Sequence, residues 1–375
     1  MNILIVKLSA IGDVIHTLPA LIAIRRHYPR AHITWMVEED AADLVVGHRA
    51  LDRVLISKRK KWLKELRGPH WRAQLKNILQ FITTVRDTRY DLVLDFQFLL
   101  KSGLLIGLTR AVRKIGFDRG MEHMEHSYLF LNERVPPVDM EVHALDRNLM
   151  LLRHLGIYDE KIEYQLPLSA SDHLWVEKYL AQEGYQPQRP LLAINPVAKW
   201  DTKLWSPAKF AQLADRLIHA YDAAVVLSGG PQDQALTAEI QAIMTHSAIN
   251  AAGKTSLKTL AALYQKTAMV ITTDTGPMHL AAAVGTPVVA LFGPTAPWRT
   301  GPYGSGHVVV RRPLKCSPCF KRQCPIKTHE CLRQLSLEQV FEMVEKRLKG
   351  ILRPNGSNDV DHLRNGKGDQ YHGVR

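Results

Sequence analysis

The chain has 375 residues, and domains usually run to roughly 100 to 200 residues, which predicts two domains with separate cores. Apolar residues make up 46% and charged residues 23%, a balance that excludes a fibrous or largely disordered protein. The 49 Lys and Arg outnumber the 36 Asp and Glu to give +13, so an acidic partner is expected: a phosphate, an anionic sugar, nucleic acid or an anionic membrane face.

The run NILIV at residues 2–6 predicts a strand buried on both faces, and the small residues 8–12 predict a loop after it. Asp13 then lies just past a strand's carboxyl end. The run carries no basic leader and is too short for a signal peptide, so no export is expected. Pro19 fits the first turn of a helix over residues 18–28, where its missing N–H is no loss. Strand-like runs follow at residues 32–37, 53–56, 91–94 and 114–117 with helical patterns between several of them, which implies an open parallel α/β sheet. The apolar stretch 92–112 is broken by Asp95, Gln97, Lys101, Ser102 and Arg110, so any membrane contact is expected from outside the bilayer.

Residues 58–76 hold eight Lys or Arg and one acid, Glu65, with Trp62 and Trp71 interleaved. An anionic lipid or acidic sugar headgroup suits such a segment, with Trp at the polar to apolar boundary. A nucleic-acid groove or a plain solvated helix face also fits.

The pattern restarts after EGYQPQRP at 183–190, which reads as a linker or surface loop. Strands are expected at 191–194, 223–227, 268–272 and 288–292, with helices at 207–219, 233–244 and 257–265 between them. The domains are accordingly drawn at 1–175 and 176–350, with 351–375 as a mobile tail. Two such units predict a ligand cleft beyond the strands' carboxyl ends.

The strongest local signal is TTDTGPMHLAAA at 272–283, a strand end opening a helix. Asp274 or Thr275 can cap that helix, Gly276 lets a ligand approach the backbone, and Pro277 fits the first turn. The exposed N–H groups and the helix dipole suit a diphosphate, with His279 near the same turn. The turn FGPT at 292–295, ending in Thr295, flanks the same expected pocket. Neither G-x-G-x-x-G nor G-x-x-x-x-G-K-[ST] follows any strand, which removes the main support for hydride transfer and for P-loop hydrolysis. Gly229-Gly230-Pro231 before Asp233 could seat a ribose or be an ordinary turn. Lys199 and Lys203, in the loop NPVAKWDTKLW at 195–205, could neutralise a departing diphosphate or simply be solvated. Cys316, Cys319, Cys324 and Cys331, with His329 nearby, hold one C-x-x-C without a paired finger spacing. Four thiols this close could bind zinc, but reduced structural thiols are the preferred reading and no metal is expected.

Taken together, KLSAIGDVIHTLPA at 7–20, DTGPMHL at 274–280 and FGPT at 292–295 resemble the lipopolysaccharide heptosyltransferases of glycosyltransferase family 9. The first motif has the form typical of heptosyltransferase I; heptosyltransferase II or another family member is the alternative. DFQFLLKS at 95–102 also fits, although the family often has glycine where Phe98 stands. The resemblance implies a GT-B fold: two Rossmann-like domains with parallel sheets facing a central cleft, acceptor on the first and donor on the second. It implies transfer of L-glycero-D-manno-heptose from ADP-heptose to the Kdo region of lipid A-linked core, with inversion, without metal or cofactor, on the cytoplasmic face of the inner membrane. By the same resemblance Asp13 is the general base. Lys203 contacts the donor phosphates with Asp274, Thr275, Gly276, His279 and Thr295 around them, and Asp233 meets the ribose. Lys199 stands where some members carry a small hydroxyl residue. Lys58, Arg59, Lys60 and Lys61, with Gln97 and Lys101, fall to the acceptor, whose carboxylates and phosphates give those charges a purpose. A nucleic-acid module built on residues 58–76 lacks every familiar recognition signature, so no nucleic-acid partner is expected.

Overall fold

The computed structural model describes residues 1–69, 71–122, 124–159 and 161–352. The tail expected from residue 351 therefore lies outside the described residues, apart from the two that end the last helix. The chain divides into two compact units, Met1–Pro167 and Leu168–Arg375.

The first unit is a six-stranded sheet of β1 (Asn2–Val6), β2 (His32–Glu38), β3 (Arg53–Ser57), β4 (Arg89–Asp95), β5 (Arg110–Phe117) and β6 (Glu133–Val135). Its order is β3-β2-β1-β4-β5-β6 and every neighbouring pair is parallel. The helices of this unit are α1 (Ile11–Ile15), α2 (Leu18–His27), α3 (Arg59–Glu65), α4 (Trp71–Arg86), α5 (Leu100–Leu108) and α6 (Ala144–Arg153). Central β1 is apolar at consecutive positions, Ile3 to Val6, because a parallel strand covered on both faces has no solvent side. Leu4 and Val6 join Met36, Val93 and Ile106 in one core cluster. Pro19 sits in the first turn of α2, and Arg25, Arg26 and His27 fill its last turn, where cations meet the negative end of the dipole.

The second unit opens with α7 (Ala170–Gln182). The boundary expected at 175/176 falls inside this helix, and residues 183–190 form the turn from α7 into the sheet rather than a link between the units. The remaining elements are β7 (Leu191–Asn195), α8 (Pro207–Tyr221), β8 (Ala224–Leu227), α9 (Gln234–Ile243), β9 (Ile249–Asn250), α10 (Leu257–Lys266), β10 (Met269–Thr273), α11 (Gly276–Ala283), β11 (Val288–Phe292), α12 (Pro297–Thr300), β12 (Val308–Arg311), α13 (Glu330–Arg333) and α14 (Leu337–Leu352). This sheet is also parallel throughout, in the order β12-β11-β10-β7-β8-β9.

Counted from their own first strands, both sheets share one order, that of a Rossmann unit read from opposite edges. In such sheets the crevice opens where the strand order reverses, here between β1 and β4 and between β7 and β10. The segments leaving those four strands carry Asp13, Gln97, Lys101, Lys199, Lys203, Asp274, Thr275, Gly276 and His279, whereas Lys58 to Lys61 follow β3, Asp233 follows β8 and Thr295 follows β11. The sequence reading missed α1, β6, β9 and β12, and it named none of α6, α7, α12, α13 and α14. The first three span two to five residues, too few to display a period. No helix among the described residues is long and apolar enough to cross a membrane.

Candidate active site

In the first unit the chain leaves β1 and turns at residues 7–10 into α1, so Asp13 stands in the first turn of a short helix that sequence patterning had merged with a loop. Its carboxylate accepts from the Ala10 backbone N–H at 2.9 Å, closing the turn it stands on. Gln97, at the end of β4, braces the same turn: its side-chain oxygen accepts from the N–H groups of Leu8 and Ser9 at 2.8 and 2.9 Å. From α6, the Asn148 amide donates to the His16 carbonyl and the Thr17 hydroxyl, both at 3.0 Å. The segment bearing Asp13 is thus tied down from two sides.

Beside it lies a cavity of about 200 Å³ lined by Lys7, Asp13, His16, Gln97, Phe98 and Arg147, among others. Lys7 and Arg147 were not singled out from sequence, yet both are buried cations. The Lys7 ammonium donates to the Phe96 carbonyl at 2.7 Å. Burial pulls its pKa down, while Asp13 and Asp95 act in the opposite sense. Arg147 donates to the carbonyls of Met140 and Val142. A cavity lined by the carboxylates of Asp13 and Glu122 and by two buried cations suits a hydroxylated sugar that carries an anionic group. Phe98 adopts φ of 61°, in the left-handed region that favours glycine, which accounts for the glycine expected at this position. Its ring packs on Phe117 at 5.1 Å and lies under the Lys7 ammonium at 5.8 Å, contacts that offset the cost of the backbone.

The basic residues assigned to the acceptor are largely engaged within the unit. Glu38, at the end of β2, is 2% exposed and gathers Arg59 at 3.0 Å, Lys60 at 3.4 Å and Lys101 at 3.3 Å. Lys101 also donates to the Ser9 hydroxyl at 2.7 Å, Lys58 pairs with Glu39 at 3.2 Å, and Lys61 is exposed. Gln97 serves the Leu8–Ser9 turn. The sequence reading counted these charges without their counter-ions, because the acids come from β2 and the turn after it. Burial pushes the Glu38 carboxyl up, but hydrogen bonding from Arg59 and the charges of Lys101, Arg59 and Lys60 outweigh it and hold the pKa below 4.5.

Glu38→Gln is expected to cost about 2 kcal/mol at pH 7, less than for a fully buried pair because Arg59 and Lys60 reach water. A depressed carboxyl pKa adds stability that is complete above the ordinary value of 4.5 and is lost as pH falls through the folded-state value. The gap between wild type and variant should therefore close on acidification, which urea unfolding at pH 7 and pH 3 measures. Equal stability at pH 7 would exclude the hub.

In the second unit β7, β10 and β11 deliver three loops to one place. Asp274 does not cap α11, as the sequence allowed; Thr275 is the N-cap residue and no side chain closes that end. The Asp274 carboxylate instead pairs with the Lys203 ammonium at 2.6 Å and accepts from the Thr295 hydroxyl at 2.6 Å. The first of these joins the β7 and β10 loops, and the second joins the β10 loop to FGPT. Lys203 lies over the Trp200 ring at 4.5 Å. An ammonium has three donors, so two remain for a ligand after Asp274 takes one. His279 is buried one turn into α11, and Lys199 is exposed. Asp233 accepts from its own turn's Gly230 N–H at 2.8 Å. A Cβ on Gly229 would come within 2.9 Å of the Asp233 side chain, so this turn stays closed only with glycine.

The cysteine loop buttresses that same place. Ser317 donates to the Gly293 carbonyl at 2.6 Å, Cys319 and Phe320 donate to the Pro294 carbonyl at 3.0 and 2.8 Å, and Thr202 donates to the Lys321 carbonyl at 2.9 Å. A Cβ on Gly293 would meet Leu332 at 2.8 Å and the Cys331 sulfur at 3.1 Å. All four cysteines are free thiols lining one small cavity. Backbone N–H groups around Cys324, that of His329 foremost, lower its pKa, while burial raises that of Cys331. Among the described residues no group of three or more His, Cys, Asp or Glu could hold a metal ion.

Residues 78–329 match the model of glycosyltransferase family 9 (heptosyltransferase). Lipopolysaccharide heptosyltransferase 1 of Pseudomonas aeruginosa is 32% identical over 339 residues, covering 89% of this chain and 90% of that protein. Among solved structures, E. coli heptosyltransferase WaaC with ADP-2-deoxy-2-fluoro heptose superimposes with a TM-score of 0.71 at 25% identity, covering 92% of this chain and 99% of that one. The family 9 glycosyl transferase of Veillonella parvula shares the fold, with a TM-score of 0.79 at 24% identity over 92% of this chain and 97% of that one. With a family match over more than half of its length and a relative above 30% identity along nearly all of it, the chain belongs to glycosyltransferase family 9.

Proposed function

We propose that the protein is a heptosyltransferase of lipopolysaccharide core biosynthesis, moving L-glycero-D-manno-heptose from ADP-heptose to the Kdo region of a lipid A-linked acceptor. The observation that carries this reading is Asp13 lining a cavity with the buried cations Lys7 and Arg147, at the switch point of a unit whose relatives are heptosyltransferases. There the carboxylate takes the proton of the acceptor hydroxyl as that oxygen bonds to the anomeric carbon. The bond from that carbon to the diphosphate breaks, ADP leaves, and the configuration inverts. Lys7 and Arg147 attract the acceptor's carboxylate, and the basic residues 58–61 serve its outer anionic groups.

In the second unit the uncapped start of α11 and the two remaining Lys203 donors take the diphosphate, whose growing charge they stabilise as it departs. Lys199, Thr275, Gly276, His279 and Thr295 complete this donor site, and Asp233 turns from Gly230 to the ribose. The chemistry runs on these side chains without a metal, on the cytoplasmic face of the inner membrane. The similarity to heptosyltransferase 1 proteins favours the first heptose addition over the second.

The direct test supplies Kdo-lipid A and ADP-heptose in the presence of a chelator and weighs the product. A mass gain of one heptose is expected. No gain with Kdo-lipid A, or a gain only after heptose is already present on the acceptor, would refute the assignment.

A further inference from the structure

The structure separates the two tryptophans of the basic segment. Trp62 is buried and packs against Phe81 of α4 at 5.2 Å, so it is a core residue and cannot sit at a lipid boundary. Trp71 is 46% exposed, and one and two turns further along α4 stand Leu75 and Leu79, 42% and 56% exposed. The three lie at i, i+4 and i+8, on one stripe of the helix. Val85 and Phe81 turn to the core roughly a quarter of the way round the helix from this stripe. The apolar surface of α4 is therefore wider than the core covers, and its outer edge is turned to solvent. A shallow groove along this face is lined by Trp71, Arg72, Leu75, Lys76, Leu79 and Gln80, with Thr83 at its end.

Charge selects the occupant. From residue 66 to residue 86 the chain carries Arg67, Arg72, Lys76 and Arg86 and no Asp or Glu. Arg72 and Lys76 are exposed beside the apolar stripe. A second copy packed on this face would bring like charges together around three apolar side chains, well short of the roughly 800 Å² per partner that a stable dimer buries. Nucleic acid would satisfy the cations and leave the Leu side chains in water. An anionic bilayer satisfies both: Trp71, Leu75 and Leu79 enter the boundary between headgroups and acyl chains while Arg72 and Lys76 meet lipid phosphates.

We infer that the solvent face of α4 is the surface through which this protein lies on an anionic lipid bilayer. This deepens the membrane setting of the proposed function, but vesicle binding needs neither donor nor acceptor, so the two readings fail separately.

The test sediments the full chain with vesicles of phosphatidylcholine alone or mixed with phosphatidylglycerol. Binding is expected only to the anionic vesicles and should weaken with added salt. Trp71→Ser/Leu75→Ser/Leu79→Ser should bind at least tenfold more weakly. Arg72→Glu/Lys76→Glu, which leaves every apolar residue in place, should lose about 30-fold or more, since each cation contributes about fivefold in affinity. Circular dichroism confirms that both variants fold, and a misfolded serine variant leaves the charge variant to decide. Wild-type protein that stays in the supernatant with anionic vesicles would overturn the inference. So would variants that bind as wild type does, or a dimer in light scattering that the serine variant abolishes.

Discussion

Asp13→Asn is expected to lower heptose transfer by about two to four orders of magnitude, the range that a positioned general base contributes. Asparagine keeps the shape of the side chain, and its amide oxygen can still accept from the Ala10 N–H that Asp13 holds at 2.9 Å. The turn into α1 should therefore survive while the proton acceptor is lost, separating the two roles this carboxylate can play. Neighbouring groups sharpen the contrast: Lys7 and Arg147 line the same cavity, so a neutral side chain at position 13 also removes one of the negative charges that balance them. ADP affinity, assigned to the second unit, should stay within about twofold by calorimetry. An asparagine variant turning over at the wild-type rate would end the assignment of Asp13 as the base; a variant that loses ADP binding as well would indicate a folding defect.

The second large effect concerns stability. Asp274→Ala is expected to destabilise the second unit by about 3 kcal/mol, because it leaves the Lys203 ammonium, itself mostly buried, without its carboxylate. It also removes the acceptor of the Thr295 hydroxyl. Lys203→Ala should cost somewhat less, since Asp274 keeps the Thr295 bond. If the two side chains act as a pair, the double variant loses less than the sum of the single ones, by at least about 1 kcal/mol. Urea unfolding of all four proteins reads this difference directly. Additive losses would mean that the two loops are held together by something other than this contact. A donor titration of the Lys203→Ala protein then reports the phosphate role separately from stability.

The predictions for Asp274 and Glu38 turn on pairings between distant parts of the chain. The Lys203–Asp274 contact spans the loops after β7 and β10, and Glu38 draws on cations from α3 and α5. Side chains are matched across such distances only when strands lie side by side, and nothing in local composition reports that neighbourhood. The residues left unremarked in the sequence, Lys7, Glu38 and Arg147, share this cause. Each is a charged residue whose meaning lies in being buried. Lys7 directly follows the continuous apolar run Ile3 to Val6, and that position was the one available hint that it would be enclosed.

The sequence by itself determined the two-unit α/β plan, most of the long strands, and the placing of its chemical motifs at strand ends. It did so because buried parallel strands must be continuously apolar and because proline and glycine punctuate the turns that follow them. Only the tertiary structure decided which charges face a partner and which are already neutralised inside the molecule. It also decided which tryptophan is core and which is surface, and that Asp274 holds a lysine instead of capping a helix. These outcomes depend on through-space distance and on access to water. Both quantities are set by how the strands are ordered in each sheet, and no run of neighbouring residues contains them.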